Sequence, residues 1–367
     1  MTTVTGVFFP LDEQLALYDK HWSERVVKEV VWLSGVVNSY EDGERVLERI
    51  GHLIMSDSTV WRRVKKWGAS FEAVSNEAEE KANALPKRGE ATPVAPPEQR
   101  RVGAALDGAM VHIRDEGWKE LKIGCLFDIE PQQVLDPETQ EWRSQGQAVN
   151  TTYLAHLGAP EPLGRLLWSE AHARHWERAS ETQVVGDGAV WIWNLADEYL
   201  APQHKTVDWY HATQHLHAAA QLIHPEHQNS TTRWYNAAET LLYQGHAQQI
   251  ASMITQRAQT LTAHQDELLA QATYFENNKL RMQYMQLRED GFLIGSGVVE
   301  SGAKQFKARF TGPGMRWSRH GLNRLLPIRS AVLSDTFDTL WPTVYAFLVA
   351  SQHKKFNIEF VLDPLTI

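Results

Sequence analysis

At 367 residues the chain has room for two or three domains of ordinary size and a substantial core. Its 43% hydrophobic and 22% charged content excludes a disordered or collagen-like chain, and no apolar run of 18 residues is present to span a membrane. A net charge of −9 argues against a surface that coats nucleic acid indiscriminately and leaves room only for a local basic patch.

The opening segment, Met1-Thr-Thr-Val-Thr-Gly-Val-Phe-Phe-Pro10, lacks the basic stretch of a secretion signal. The one cysteine, Cys125, cannot close an internal disulfide, so a cytoplasmic address is expected. Over residues 22–50 the apolar positions Val26, Val27, Val30, Val31 and Leu33, then Val46, Leu47 and Ile50, fall at helical spacing. A break at Ser56-Asp57-Ser58 supplies a cap for a further helix carrying Arg62, Arg63, Lys65 and Lys66. The region 1–75 therefore reads as a small all-helical, helix-turn-helix-like unit whose basic helix is a candidate for a DNA groove. A solvated basic face is the alternative.

Residues 76–100 shift to Glu, Lys, Ala and Pro, with Pro86, Pro93, Pro96 and Pro97, and read as a linker. Beyond it come short apolar runs at 102–113, 121–127 and 151–157, expected to form an antiparallel meander. A helix over 161–179, a strand ending at Val184-Val185-Gly186-Asp187, a helix over 191–199 and a strand from Lys205 follow. This order predicts an α/β fold with the mixed sheet of ribonuclease H-like proteins, in which the first and fourth strands are neighbours. The core would occupy 101–215, a His-, Gln- and Ala-rich helical insertion 216–290, a returning core helix and basic segment 291–345, and a C-terminal tail 346–367.

Asp107 lies in the first strand of that core, Asp187 at the end of the fourth and Glu300 at the start of a later helix. Each alone has a bland reading: Asp-Gly is a common turn dipeptide, and a first-turn Glu complements the helix dipole. The apolar approaches, Val102–Leu106 and Val184-Val185, favour a joint one. Adjacent first and fourth strands would bring the two aspartates together, and a helix packed across the sheet could deliver Glu300. Three hard oxygen donors without a nearby cysteine select Mg²⁺ or Mn²⁺, and two such ions roughly 4 Å apart suit phosphodiester hydrolysis. Residues 301–334 add Lys304, Lys307, Arg309, Arg316, Arg319, Arg324 and Arg329 with no acid, which suits phosphate contact, while Trp317 is a candidate for stacking on an unpaired base. Packing of this segment on the acidic remainder of the protein is the alternative. His204, His211, His215, His217, His224 and His227 invite a zinc reading, but cysteine partners and a metalloprotease Glu are missing.

The chain resembles the DDE transposases of bacterial insertion sequences, specifically the ISKra group. The resemblance rests on Phe8-Phe-Pro-Leu-Asp-Glu13, Leu106-Asp-Gly-Ala-Met110, Val185-Gly-Asp-Gly-Ala-Val-Trp-Ile-Trp-Asn194, Val207-Asp-Trp-Tyr-His-Ala212 with His215-Leu216, Gly295-Ser-Gly-Val-Val-Glu-Ser-Gly-Ala-Lys304 and Gly314-Met-Arg-Trp317. It implies a ribonuclease H-like catalytic domain with Asp107, Asp187 and Glu300 as the metal-binding triad. It implies Asp208 and His211 as supports of that site. It further implies cutting and joining at transposon ends, with terminal inverted repeats and target DNA as partners and a homo-oligomer assembled on DNA. Two other readings stay open: a domesticated, non-catalytic DNA-binding protein derived from a transposase, and a ribonuclease H-like nuclease without strand transfer.

Overall fold

The computed structural model describes residues 19, 22–86, 98–135, 140–225, 227–261, 264–312 and 314–361, with side chains up to residue 351. The Phe8–Glu13 motif lies outside them, as do linker residues 87–97. The chain is α/β, built on one five-stranded mixed sheet, and divides into two compact units. One comprises the described residues up to Ala78 with Met110–Lys119 and Gln305 onward, and the other comprises Glu79–Ala109 and Glu120–Lys304.

The helical unit contains α1 (Glu24–Val36), α2 (Tyr40–Arg49) and most of α3 (Asp57–Ala82). Ser39 caps α2 by accepting from Asp42 N at 2.9 Å. The helix α3 runs on through residues 76–82, which the composition assigned to the linker. Its basic face is divided: Arg63 is buried and pairs with the buried Asp19 at 2.9 Å, and Lys66 reaches the same carboxylate at 3.0 Å. Trp67 Nε1 also donates to Asp19 at 2.8 Å. Arg63 and Lys66 thus serve the packing of this unit, because a buried carboxylate needs cationic partners, and the exposed cations here are Arg62 and Lys65.

Residues 305–345 belong to this helical unit, whereas the composition assigned them to the catalytic core. They include the end of α11 (Gly297–Phe310), α12 (Arg319–Leu333) and the start of α13 (Phe337–Val361). The expected tail from residue 346 is thus helical to Val361. Trp341 of α13 stacks on Trp67 with ring centroids 4.8 Å apart. Much of the basic segment is spent internally. Buried Arg309 donates to Asn38 O at 3.0 Å and lies over the rings of Tyr40 and Trp317. Trp317 is fastened in turn, half-buried and donating from Nε1 to Phe310 O at 3.0 Å. Arg319 grips Glu116 through Nε and Nη2, at 2.9 and 2.6 Å. Of the cations expected to touch DNA after Glu300, Lys307 and Arg316 in this unit and Lys304 in the sheet unit are exposed.

Arg329 is the extreme case. It donates from Nη1 to the carbonyls of Gly35 and Val36 at 2.5 and 2.8 Å, and from Nη2 to that of Gln305 at 2.8 Å. Burial, and then the neighbouring charge of Arg309, pulls its pKa down to about 10. Arg329→Ala is expected to destabilise the protein by about 3 kcal/mol, because it strands the buried carbonyl of Gly35 and loses the bonds to the half-buried ones of Val36 and Gln305. A denaturant midpoint unchanged from wild type would contradict that role.

The sheet unit holds β1 (Glu98–Ile113, as far as Ala109), β2 (Gly117–Leu135, from Glu120), β3 (Trp142–Leu157), β4 (Ala179–Gly186) and β5 (His204–Val207), in the order β3-β2-β1-β4-β5. The first and fourth strands are neighbours as expected, and β1, β4 and β5 run parallel while β2 and β3 are antiparallel. Val102, Ala104 to Leu106, Val184 and Val185 are fully buried, which explains the uninterrupted apolar runs of β1 and β4. The helix α4 (Pro160–Ala173) follows β3, and α5 (Val190–Leu195) lies between β4 and β5. The expected insertion is built of helices joined by turns: α6 (Trp209–Ile223), α7 (Gln228–Tyr243), α8 (Ala247–Thr260), α9 (Gln265–Asn278) and α10 (Tyr284–Glu289). Its Leu216, Leu242, Ile250 and Phe275 are buried in the same core cluster as the sheet residues. Among the described residues no helix is long and apolar enough to cross a membrane.

Candidate metal centre

Strand register brings the acidic residues together. Leu106 of β1 pairs with Gly186 of β4, and Gly186 pairs with Val207 of β5. One step further along each strand stand Asp107, Asp187 and Asp208. Neighbouring strands lie about 4.8 Å apart, so the three aspartates form a row across three adjacent strands, just beyond the ends of β4 and β5 and within β1.

Each aspartate is held differently. Asp107 remains within β1, and its Oδ1 accepts from Gly108 N at 2.7 Å. Asp187 begins a tight turn, accepting from Ala189 N at 2.8 Å, with Gly188 at φ +101°. A side chain there would be strained and would meet the Tyr274 ring at 2.9 Å, so the Asp-Gly pair is at once a turn and a site element. Asp208 is fully buried and caps α6, its Oδ1 accepting from His211 N at 2.8 Å and facing His211 Nδ1 at 3.2 Å. Its Oδ2 accepts from Ser296 N.

Ser296 connects this row to Glu300. Its hydroxyl donates to Glu300 Oε1 at 3.1 Å across the first turn of α11. The segment before α11 is tied to the sheet by the buried amide of Gln183, which donates to Leu293 O at 2.6 Å and accepts from Leu293 N at 3.1 Å. Trp209 N also donates to Ile294 O at 2.9 Å. The first turn of α11 is fixed by Tyr153, whose hydroxyl donates to Val298 O at 2.9 Å. Gly302 lets the same ring approach, since a Cβ there would stand 2.2 Å from it. Packing thus sets the position of Glu300 at several points.

Asp208, His211 and Glu300 each bring a ligand atom within 4.8 Å of the others. The hydrogen bond to Asp208, opposed by burial and reinforced by the charges of Asp208, Asp187 and Asp107, raises the pKa of His211. For Asp208, burial pushes the pKa up, but the bonds from His211 and Ser296 outweigh it and hold the carboxyl below its ordinary range. The site is therefore a half-buried cluster of carboxylates with a single imidazole as neighbour. Such a set could hold a metal ion: two carboxylates and an imidazole nitrogen lie within reach of one another, and a bound cation would offset the repulsion between the acids. Asp208 accepts on both oxygens, so it braces the cap of α6 and the entry to α11 while offering a ligand atom to the site, and among the described residues Asp187 accepts through Oδ1 from Ala189 N.

Sequence reasoning missed Gln183, Ser296, Tyr153 and Tyr274. Tyr274, from α9, donates to Asp187 O at 2.9 Å and stacks on His215, with centroids 3.6 Å apart. A lone Gln inside an apolar strand was the one visible signal among them. The zinc reading, already disfavoured by the missing cysteines, gains nothing among the described residues: His215 bonds Gln271 at 2.7 Å, His217 lies edge-on to Tyr235, and no group of histidines stands close enough to share an ion. His211→Ala is expected to lower activity about 10- to 100-fold, less than loss of an acidic ligand, since the ring orients Asp208. Complete loss in a well-folded variant would instead give His211 a direct part in the chemistry. No protein-family model matches the chain, and a search of curated proteins found no similar sequence.

Proposed function

We propose that the protein is a transposase of the DDE type, with a ribonuclease H-like catalytic domain, which cuts DNA at transposon ends and joins them to a target. The observation that carries this reading is the row Asp107, Asp187 and Asp208 on adjacent strands, with Glu300 tethered beside it through Ser296. Asp107, Asp187 and Glu300 would hold Mg²⁺ or Mn²⁺, in a pair as two-ion phosphodiester chemistry requires. Bound there, the cations would supply the positive charge that favours hydroxide over water and stabilises the leaving oxygen. The protein's own groups hold the three carboxylates in place: the turn at Gly188 fixes Asp187, Asp208 and Ser296 fix Glu300, and His211 orients Asp208.

Arg62 and Lys65 in the helical unit, and Lys304, Lys307 and Arg316, are exposed cations whose charge suits DNA phosphates. The pairing of Arg63 and Lys66 with Asp19 weakens the reading of α3 as a dedicated DNA reader, and with it the non-catalytic alternative. A homo-oligomer on DNA, working in the cytoplasm at the nucleoid, completes the proposal. The test incubates the protein with Mg²⁺ and DNA carrying the terminal inverted repeats that flank its gene. Nicking at the repeat boundary followed by joining supports the reading. Nicking without joining would favour a nuclease, and binding without nicking a non-catalytic DNA-binding protein.

A further inference from the structure

A cleft of about 740 Å³ opens beside the acidic row, between the outer part of the β2–β3 hairpin, the helices α6 and α7, and the segment leading into α11. Its position is fixed by sequence neighbours of the site: Trp209 and Tyr210 follow Asp208, Gly295 and Gly297 flank Ser296, and Ser301 follows Glu300. A Cβ built on Gly295 would stand 3.5 Å from the Tyr210 ring and 3.8 Å from Asp208 Oδ2, so the cleft begins where the carboxylates end.

The side chains facing this space are unusual for what they leave unused. Tyr210 is 61% exposed, and its ring stacks on no other among the described residues. Gln132 pairs across the hairpin with Gln145, and Glu130 with Gln147, so the three glutamines share one face of the ribbon. None of their amides makes a hydrogen bond among the described residues, and Arg288 makes no ion pair there. Among the described residues the cleft is lined by no carboxylate, although Glu130 shares the glutamines' face of the ribbon. A flat ring, free amides that can donate and accept, and a lone guanidinium are the elements that hold a nucleobase and its phosphate. A duplex hides its base faces within the stack, whereas an unpaired base offers them to an aromatic ring.

We propose that this cleft is a subsite for an unpaired nucleotide of the DNA strand, stacked on Tyr210, hydrogen-bonded by the glutamines of the ribbon and held at its phosphate by Arg288. The choice of DNA rests on the reading of the acidic row as a DNA-cutting site. In this role the subsite would hold the strand next to Asp107, Asp187 and Glu300 after the terminal base pairs open.

The test measures binding with a chelator present, so that cleavage plays no part. The probe is a single-stranded DNA of about twelve nucleotides with a central 2-aminopurine, compared with the same strand in duplex. Stacking should quench the fluorophore in the single strand more than in the duplex. Tyr210→Ala should weaken single-strand binding roughly ten-fold and abolish the quenching, while Tyr210→Phe keeps both. Arg288→Gln should lower the salt slope by about 0.7. Wild-type affinity and quenching in Tyr210→Ala, or a wild-type protein that fails to quench the single strand, would overturn the proposal. Quenching by a protein that does not nick terminal repeats supports the subsite and counts against the transposase reading, whereas nicking without quenching does the reverse.

Discussion

Asp187→Asn is expected to reduce metal-dependent strand cleavage by at least about a thousand-fold, equivalent to about 4 kcal/mol of barrier, while leaving the fold and metal-free DNA binding intact. The local geometry makes this a clean test. Asp187 Oδ1 accepts from Ala189 N, and an asparagine can keep that bond and hence the turn at Gly188. Asp107 Oδ1 accepts from Gly108 N, and Glu300 Oε1 from Ser296 Oγ, so Asp107→Asn and Glu300→Gln also keep an acceptor in place. Each variant removes one negative charge at nearly constant volume. Mn²⁺ should support the wild-type reaction and Ca²⁺ should not, because its looser coordination does not hold an in-line geometry. Cleavage at the wild-type rate by any of the three variants, measured with Mg²⁺ on end-containing DNA, would remove that residue from the site.

The parts of this arrangement visible in the sequence are those written in local periodicity. Buried parallel strands announce themselves as unbroken apolar runs, and the runs at Val102–Leu106 and Val184-Val185 locate Asp107 within a strand and Asp187 just past the end of one. The helical character of the insertion followed in the same way. What local pattern does not carry is which cation faces inward. Arg62, Arg63, Lys65 and Lys66 look alike in sequence, yet Arg63 and Lys66 turn to Asp19, a residue far away in the chain. Arg309 and Arg329 are consumed by backbone carbonyls at the ends of other helices, which no spacing rule foretells. Charge segregation over 301–334 therefore reflects two demands at once, internal fastening and exposed cations, and only the three-dimensional contacts separate them.

Asp208 shows the same limit from the other side. Its sequence neighbourhood suggested support of a metal site, but the means of support, a single carboxylate serving the cap of α6 and the entry to α11, comes from contacts distant in sequence. Asp208→Asn should therefore do more damage than an exchange of one oxygen for nitrogen suggests. If the remaining oxygen keeps the cap on His211 N, the new amide nitrogen meets the N–H of Ser296, donor against donor, in a buried place. The expected loss is about 2 to 4 kcal/mol of stability, combining a lost charged hydrogen bond with a stranded donor. Cleavage should fall about 10- to 100-fold even where the variant is folded, because Ser296 also holds Glu300. The pH dependence follows from the lowered pKa of Asp208. Its contribution is fully present above the ordinary carboxylate pKa of about 3.9, and it is lost as pH falls through the lower value of the folded state. The difference in melting temperature between wild type and Asp208→Asn should be constant near neutrality and narrow below about pH 4. Equal melting temperatures at pH 7, or a difference that stays unchanged in acid, would show that Asp208 does not fasten α6 to α11.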